Sequence, residues 1–135
     1  MYYEITVKVR RLTGKGAGKE VTERYITDCS LFSEAEAKGL HLLAEDSLEG
    51  DVVAIRRSNV REIVNGEEDK ESFFRATIVD VFIDDNGKEK ELKYNVLVKA
   101  DSLAEATGKA NGYMRQGLED MRLDGVVKTK ILGVI

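Results

Sequence analysis

One histidine and one cysteine are all that this 135-residue chain offers among the side chains that most often hold transition metals. A lone His41 excludes a histidine-cluster metal site and a two-histidine phosphodiesterase, and reads as an ordinary helix histidine. Cys29 has no partner for an internal disulfide, which fits a reducing compartment, and no Cys-x-x-Cys pair exists to bind structural zinc. Long apolar runs are also missing, since none approaches the roughly 20 residues that a membrane helix needs. Met1-Tyr2-Tyr3-Glu4-Ile5 reads as a strand rather than as the charged-then-apolar start of a secretory signal. A cytoplasmic location with no membrane partner is therefore expected. Cationic excess is lacking too: a net charge of −4 disfavours broad phosphate-tracking contacts, so nucleic acid is not an expected partner.

The chain does contain a repeat. Identities recur at an offset of 69, among them Gly18/Gly87, Lys19/Lys88, Tyr25/Tyr94, Ser33/Ser102, Glu36/Glu105 and Gly39/Gly108. A duplicated unit implies a fold with internal pseudo-symmetry. The reading is one α+β domain over 1–135, with repeats 1–64 and 73–135 joined by a charged, solvated linker at 65–72. Each repeat is ββαβ, mainly antiparallel, with one helix and pseudo-twofold symmetry between the two. Tyr3, Ile5, Val7 and Val9 alternate with polar residues, the period of a half-buried strand. Asp84-Asp85-Asn86-Gly87 sits between β-rich runs as a hairpin turn, and 13–18 is its glycine-rich counterpart. Ser33 and Ser102 read as N-caps with Glu36 and Glu105 at N3, the capping-box spacing. Helix one is expected to bury Ala37, Leu40, Leu43 and Ala44. Helix two is expected to bury a stripe from Leu103 through Ala106, Ala110, Tyr113, Met114 and Leu118 to Met121. Third strands are expected at 52–64 and 126–135. A right-handed crossover gives the strand order two-one-three, and leaves open whether the repeats join edge to edge or face to face.

The Tyr2-Tyr3 start, the Phe32-Ser33-Glu34-Ala35-Glu36-Ala37 segment, Ala54-Ile55-Arg56-Arg57, and Phe73-Phe74 followed by Gly87-Lys88-Glu89-Lys90 resemble an uncharacterised family of small phage and gut-bacterial proteins. Members open with a Trp-Tyr or Trp-Phe pair, whereas this chain has no tryptophan. The resemblance implies a phage or mobile-element setting, hence host cytoplasm, and brings no activity with it.

Candidate chemistry is sparse. Cys29 aligns with Val98 and reads as a small core residue rather than a nucleophile. Asp84-Asp85-Asn86-Gly87 resembles the start of a calcium loop but lacks the later ligands. Gly14-Lys15-Gly16-Ala17-Gly18-Lys19 resembles a phosphate loop, yet a strand follows where a helix N-terminus is needed. No catalytic residue, metal ligand or cofactor is assigned, and the chain reads as a non-enzyme. Two sets remain for binding. Arg10 and Arg11 on strand one, with Arg56, Arg57 and Arg61 on strand three, are expected to lie near one another, where planar guanidinium groups suit phosphate oxygens. Their alternative is pairing with Glu4, Glu20, Glu23 and Glu62 across strands. In the doublets Tyr2-Tyr3 and Phe73-Phe74, one ring is expected to face the core and the other outward, ready to stack on a nucleobase or a subunit contact. The expected function is sequestration of a small anionic, nucleotide-like ligand, such as an immune signalling molecule. The alternatives are a protein-binding inhibitor of a host factor and, third, a single-stranded nucleic-acid binder. A homo-oligomer is expected, with the apolar end at Val134 and Ile135 available to pair with a neighbouring chain.

Overall fold

The computed structural model describes residues 1–12, 18–45, 49–117 and 120–135. The glycine-rich segment 13–17 and Leu118 lie outside the described residues. The chain runs β1 (Tyr2–Leu12), β2 (Gly18–Asp28), α1 (Phe32–Glu45), β3 (Gly50–Arg57) and β4 (Val60–Val64). The same series then follows as β5 (Ser72–Ile83), β6 (Glu89–Ala100), α2 (Leu103–Arg115), β7 (Asp120–Lys128) and β8 (Ile131–Val134). The fold is α+β with two four-stranded sheets, ordered β3-β1-β2-β8 and β4-β6-β5-β7. Within each, the hairpin and the strand after the helix reproduce the expected two-one-three order. Pairing is antiparallel except where β8 joins β2 and β4 joins β6.

Each expected third strand is in fact two. β3 pairs with β1 down to Tyr3↔Arg57, where β1 runs out, and the Ser58 amide makes a last bond to the Tyr2 carbonyl at 2.8 Å. The chain then has no partner left on β1 and leaves for β6. Thr129 closes β7 in the same way on the Phe73 carbonyl, at 2.9 Å, before β8 returns to β2. The chain divides accordingly into two compact units, Met1–Ser58 with Lys130–Ile135 and Asn59–Thr129, rather than at the 64/73 boundaries. The apolar C-terminal end is used internally: the Ile135 amide bonds the Ile26 carbonyl and the Thr27 hydroxyl donates to the Ile135 carbonyl.

Matching registers of the two hairpins lie 71 residues apart, not 69. Thr6 faces Arg24 and Thr77 faces Asn95, and a β-bulge follows both threonines on the side of the crossover strand. Side chains on a strand alternate with period two, so a slip of two residues leaves every residue on its proper face and is invisible to patterning. The same slip misplaces helix one. It starts at Phe32, with the Leu31 carbonyl accepting the Glu34 and Ala35 amides, so Ser33 is not its cap. Its buried face is Ala35, Gly39 and Leu43, while Ala37, Leu40 and Ala44 are exposed. Small residues bring the helix close to the sheet: a methyl on Gly39 would come within 3.1 Å of Ile5 and 3.2 Å of Val52. In the second unit Ala106 and Ala110 play that part.

The core of the first unit is Tyr3, Ile5, Val7, Val9, Cys29, Ala35 and Leu43. Cys29 is a buried core thiol, equivalent at the 71 offset to buried Ala100. In the second unit Phe74, Ala76, Ile78, Tyr94, Val96, Val98 and Ala100 pack with Ala106 and Ala110 of α2. Ser102 is the N-cap of α2 and accepts the Glu105 amide at 3.1 Å, as expected. The carboxylate of Glu105 does not complete a capping box. It lies 3.3 Å from both Lys70 and Lys109. The segment 65–72 is therefore no free linker: Glu68 takes Lys109 at 2.7 Å, and the Glu71 amide takes Asp101. The Asp84–Gly87 turn is closed by the Asp84 carboxylate, which accepts the Asn86 and Lys88 amides at 2.9 Å, while Gly87 adopts φ 78°. Those two bonds engage the oxygen that a calcium-loop reading would require.

Candidate functional site

The five arginines expected to cluster do not converge. Arg10 and Arg11 sit near the far end of β1, opposite Glu20 and Lys19, whereas Arg56 and Arg57 lie opposite Glu4 and Tyr3 at its start. Six residues of strand separate the two groups, about 20 Å. Arg56 and Arg57, being adjacent on a strand, point to opposite faces. Arg61 belongs to β4 in the second unit.

Arg11 is engaged by its own sheet. Its Nε and one terminal nitrogen donate to the two Glu23 oxygens at 3.1 and 2.7 Å, and the Tyr25 hydroxyl donates to the same carboxylate at 3.0 Å. The Arg11 bonds hold the Glu23 carboxyl below the ordinary glutamate range, outweighing the opposing effect of burial. Burial, with Glu23 beside it, raises the Tyr25 phenol. This closed triad is the cross-strand pairing reading realised, and it leaves Arg11 no free fork for a ligand. Glu4, Glu20 and Glu62 form no such ion pair with the arginines among the described residues.

The aromatic doublets present no free outward ring. Phe73 and Phe74 are both buried, at 1% and 4% exposure, because β5 carries buried side chains on both faces. The Lys99 ammonium lies over the Phe73 ring, 5.1 Å from its centroid. Tyr3 is core and meets Phe32 edge-on at 6.4 Å, and Tyr2 is half-buried. Period-two patterning assumes one wet face, and that assumption fails on β5.

Among the described residues, two clefts on the first unit stand out. The one lined by Lys8, Val9, Arg10, Glu20, Glu49, Gly50 and Asp51, about 290 Å³, carries three carboxylates against two cations. The other, about 280 Å³, lies on the sheet face away from α1 and is lined by Glu4, Thr6, Arg24, Ala54 and Arg56. Three adjacent strands build it: Thr6 faces Arg24 on β2 and Ala54 on β3, and Glu4 faces Arg56. Arg24 and Arg56 are exposed and make no hydrogen bond or ion pair among the described residues. Of the expected arginines only Arg56 is placed here. Arg24 lies outside the expected set, although the hairpin register sets it across from Thr6.

A second cluster lies in the second unit. A bulge between Val60 and Glu62 turns Arg61 out of register, and its guanidinium stacks 3.9 Å from the Tyr94 centroid. Burial, then a hydrogen bond to the Glu62 carboxylate, pushes the Tyr113 phenol up to about 12. His41 is exposed on α1, 3.5 Å from Glu45.

Among the described residues no three His, Cys, Asp or Glu side chains are grouped to hold a metal ion, and no helix is long and apolar enough to cross a membrane. No curated protein and no solved structure matches the chain. A family model matches it from end to end: over residues 1–135 the chain belongs to the family described as Domain of unknown function (DUF4494).

Proposed function

We propose that this chain is a non-enzymatic binding protein that captures a small anionic, nucleotide-like ligand on the open face of its first sheet. The observation that carries the reading is the pair of unpartnered arginines, Arg24 and Arg56, flanking the Thr6 cleft of about 280 Å³. Guanidinium forks are suited to phosphate oxygens and form charge-assisted bonds stronger than neutral ones. The Thr6 hydroxyl adds a donor, and Glu4 accepts from a ligand N–H or O–H, which favours a nucleotide over inorganic phosphate. On this reading the cleft holds its ligand without turning it over. In the phage setting that the family resemblance suggests, a nucleotide-derived immune signal in the host cytoplasm is the fitting ligand.

Native mass spectrometry of the protein from cells with active nucleotide signalling tests this, and reads the oligomeric state as well. An intact nucleotide should be retained by the wild type and by Arg10→Ala, and be lost from Arg24→Ala and Arg56→Ala. Retention by both cleft variants, or an empty wild type, sinks the proposal.

A protein partner is the second reading. It is favoured by β3, an edge strand of its sheet with exposed Val53 at the bulge, since an unpaired edge accepts an added strand.

A further inference from the structure

The second unit buries a carboxylate oxygen that no hydrogen bond satisfies. Asp80 on β5 is 7% exposed, and its Oδ1 has no hydrogen-bond partner. It lies on the α2 face, in line with Phe74, Ala76 and Ile78 of the core. Its neighbours across the strands are Leu92 on β6 and Met121 on β7. Ile78, two residues before it, faces Tyr94, whose hydroxyl points at the Met121 sulfur, 3.6 Å away.

The first unit shows what a purely structural residue does at this place. At the 71 offset Asp80 corresponds to Val9, which is 1% exposed and packs into the core. An unpaired carboxylate in an apolar setting costs several kcal/mol relative to such a side chain. Among the described residues no hydrogen bond to Oδ1 offsets that cost.

We propose that Asp80 anchors a site for a small organic cation, an alkylammonium or guanidinium group. This is independent of the Arg24/Arg56 cleft. A hard divalent ion needs about six oxygen ligands, whereas the cross-strand neighbours of this carboxylate are an aliphatic side chain and a thioether, with the Tyr94 ring beyond. That set matches an organic cation, which pairs with the carboxylate and lays its apolar stem against Leu92 and Met121. Entry is from the Leu92 side, where Leu92 and Phe82 are exposed and the long Met121 side chain can move aside.

The test is an NMR titration of the full chain with n-butylammonium, using n-butanol as the neutral control of the same shape. The Met121 methyl and Tyr94 ring signals should shift saturably with the cation, at least about tenfold more weakly with the alcohol, and not at all in Asp80→Asn. Asp80→Val, which copies Val9, should also lose the shift while raising the thermal midpoint. The proposal is overturned by an absent or non-saturating shift in the wild type, by equal response to the alcohol, or by a retained shift in Asp80→Asn. A lower midpoint or failure to fold in Asp80→Val also overturns it, because Asp80 would then be a structural residue.

Discussion

Lys38 and Lys109 make the same contact 71 residues apart: each ammonium donates to a carbonyl near the end of a hairpin's second strand, Lys38 to Asp28 at 3.2 Å and Lys109 to Lys99 at 2.9 Å. Each ties its helix to the strand that leads into it. Lys109 does more, because it also holds Glu68 and Glu105, whereas Lys38 adds the Thr27 hydroxyl. Replacing either by Met keeps the stem and removes the bonds, at about 1–3 kcal/mol each. Urea unfolding should show the larger loss for Lys109→Met. Equal or negligible losses would mean these bonds are exchanged for water without penalty.

Helix glycines separate into two kinds. Gly108 on α2 has nothing within 4 Å of where a methyl would stand, so Gly108→Ala should stabilise by about 0.5–1 kcal/mol through helix propensity alone. Gly39 faces Ile5 and Val52 closely, so Gly39→Leu should destabilise by about 1–3 kcal/mol. Thermal melts of the two variants should move in opposite directions.

Tyr113 sets an alkaline limit. Its phenol is pushed up to about 12 from an ordinary 10. A raised pKa means the folded form keeps its proton longer than the unfolded form, so the contribution is whole below pH 10 and is lost between 10 and 12. Ultraviolet titration of the five tyrosines should show a late component near pH 12 that disappears in Tyr113→Phe. If that component survives the substitution, the Glu62 contact is not the cause.

The Arg11–Glu23 fork sets an acid limit in the first unit. Glu23 has a depressed pKa, so its stabilising contribution is present above the ordinary glutamate value of 4.5 and is lost as pH falls through the lower folded value. The stability difference between wild type and Glu23→Gln should therefore be flat near neutrality and shrink toward zero in acid. A difference that does not change with pH would assign the effect to packing rather than to charge.

Much of the fold was legible from local rules. The alternation of Tyr3, Ile5, Val7 and Val9 marks β1, Asn86-Gly87 marks a hairpin turn, and Ser102 marks the start of α2. Each depends on a few neighbouring residues, which is the range over which backbone sterics and side-chain capping act. The recurring order of elements was legible too, but matching hairpin registers lie 71 residues apart where the identities recur at 69. Period-two strands cannot register that slip, and only the cross-strand register, with Thr6 opposite Arg24 and Thr77 opposite Asn95, fixes it.

The candidate sites were less legible because they are defined by partners that arrive from elsewhere in the chain. Arg11 and Arg24 look alike in sequence, yet a carboxylate meets one and not the other. Asp80 reads as one more acid until β7 and α2 enclose it. Amino-acid order by itself determined the two hairpins, the two helices and the apolar face of β1, since those follow from local geometry and alternation. The tertiary structure alone decided where β4 and β8 pair, that both sides of β5 are dry and which charges are left unpaired. Those outcomes depend on which distant surface displaces water from a group, and no local pattern records that.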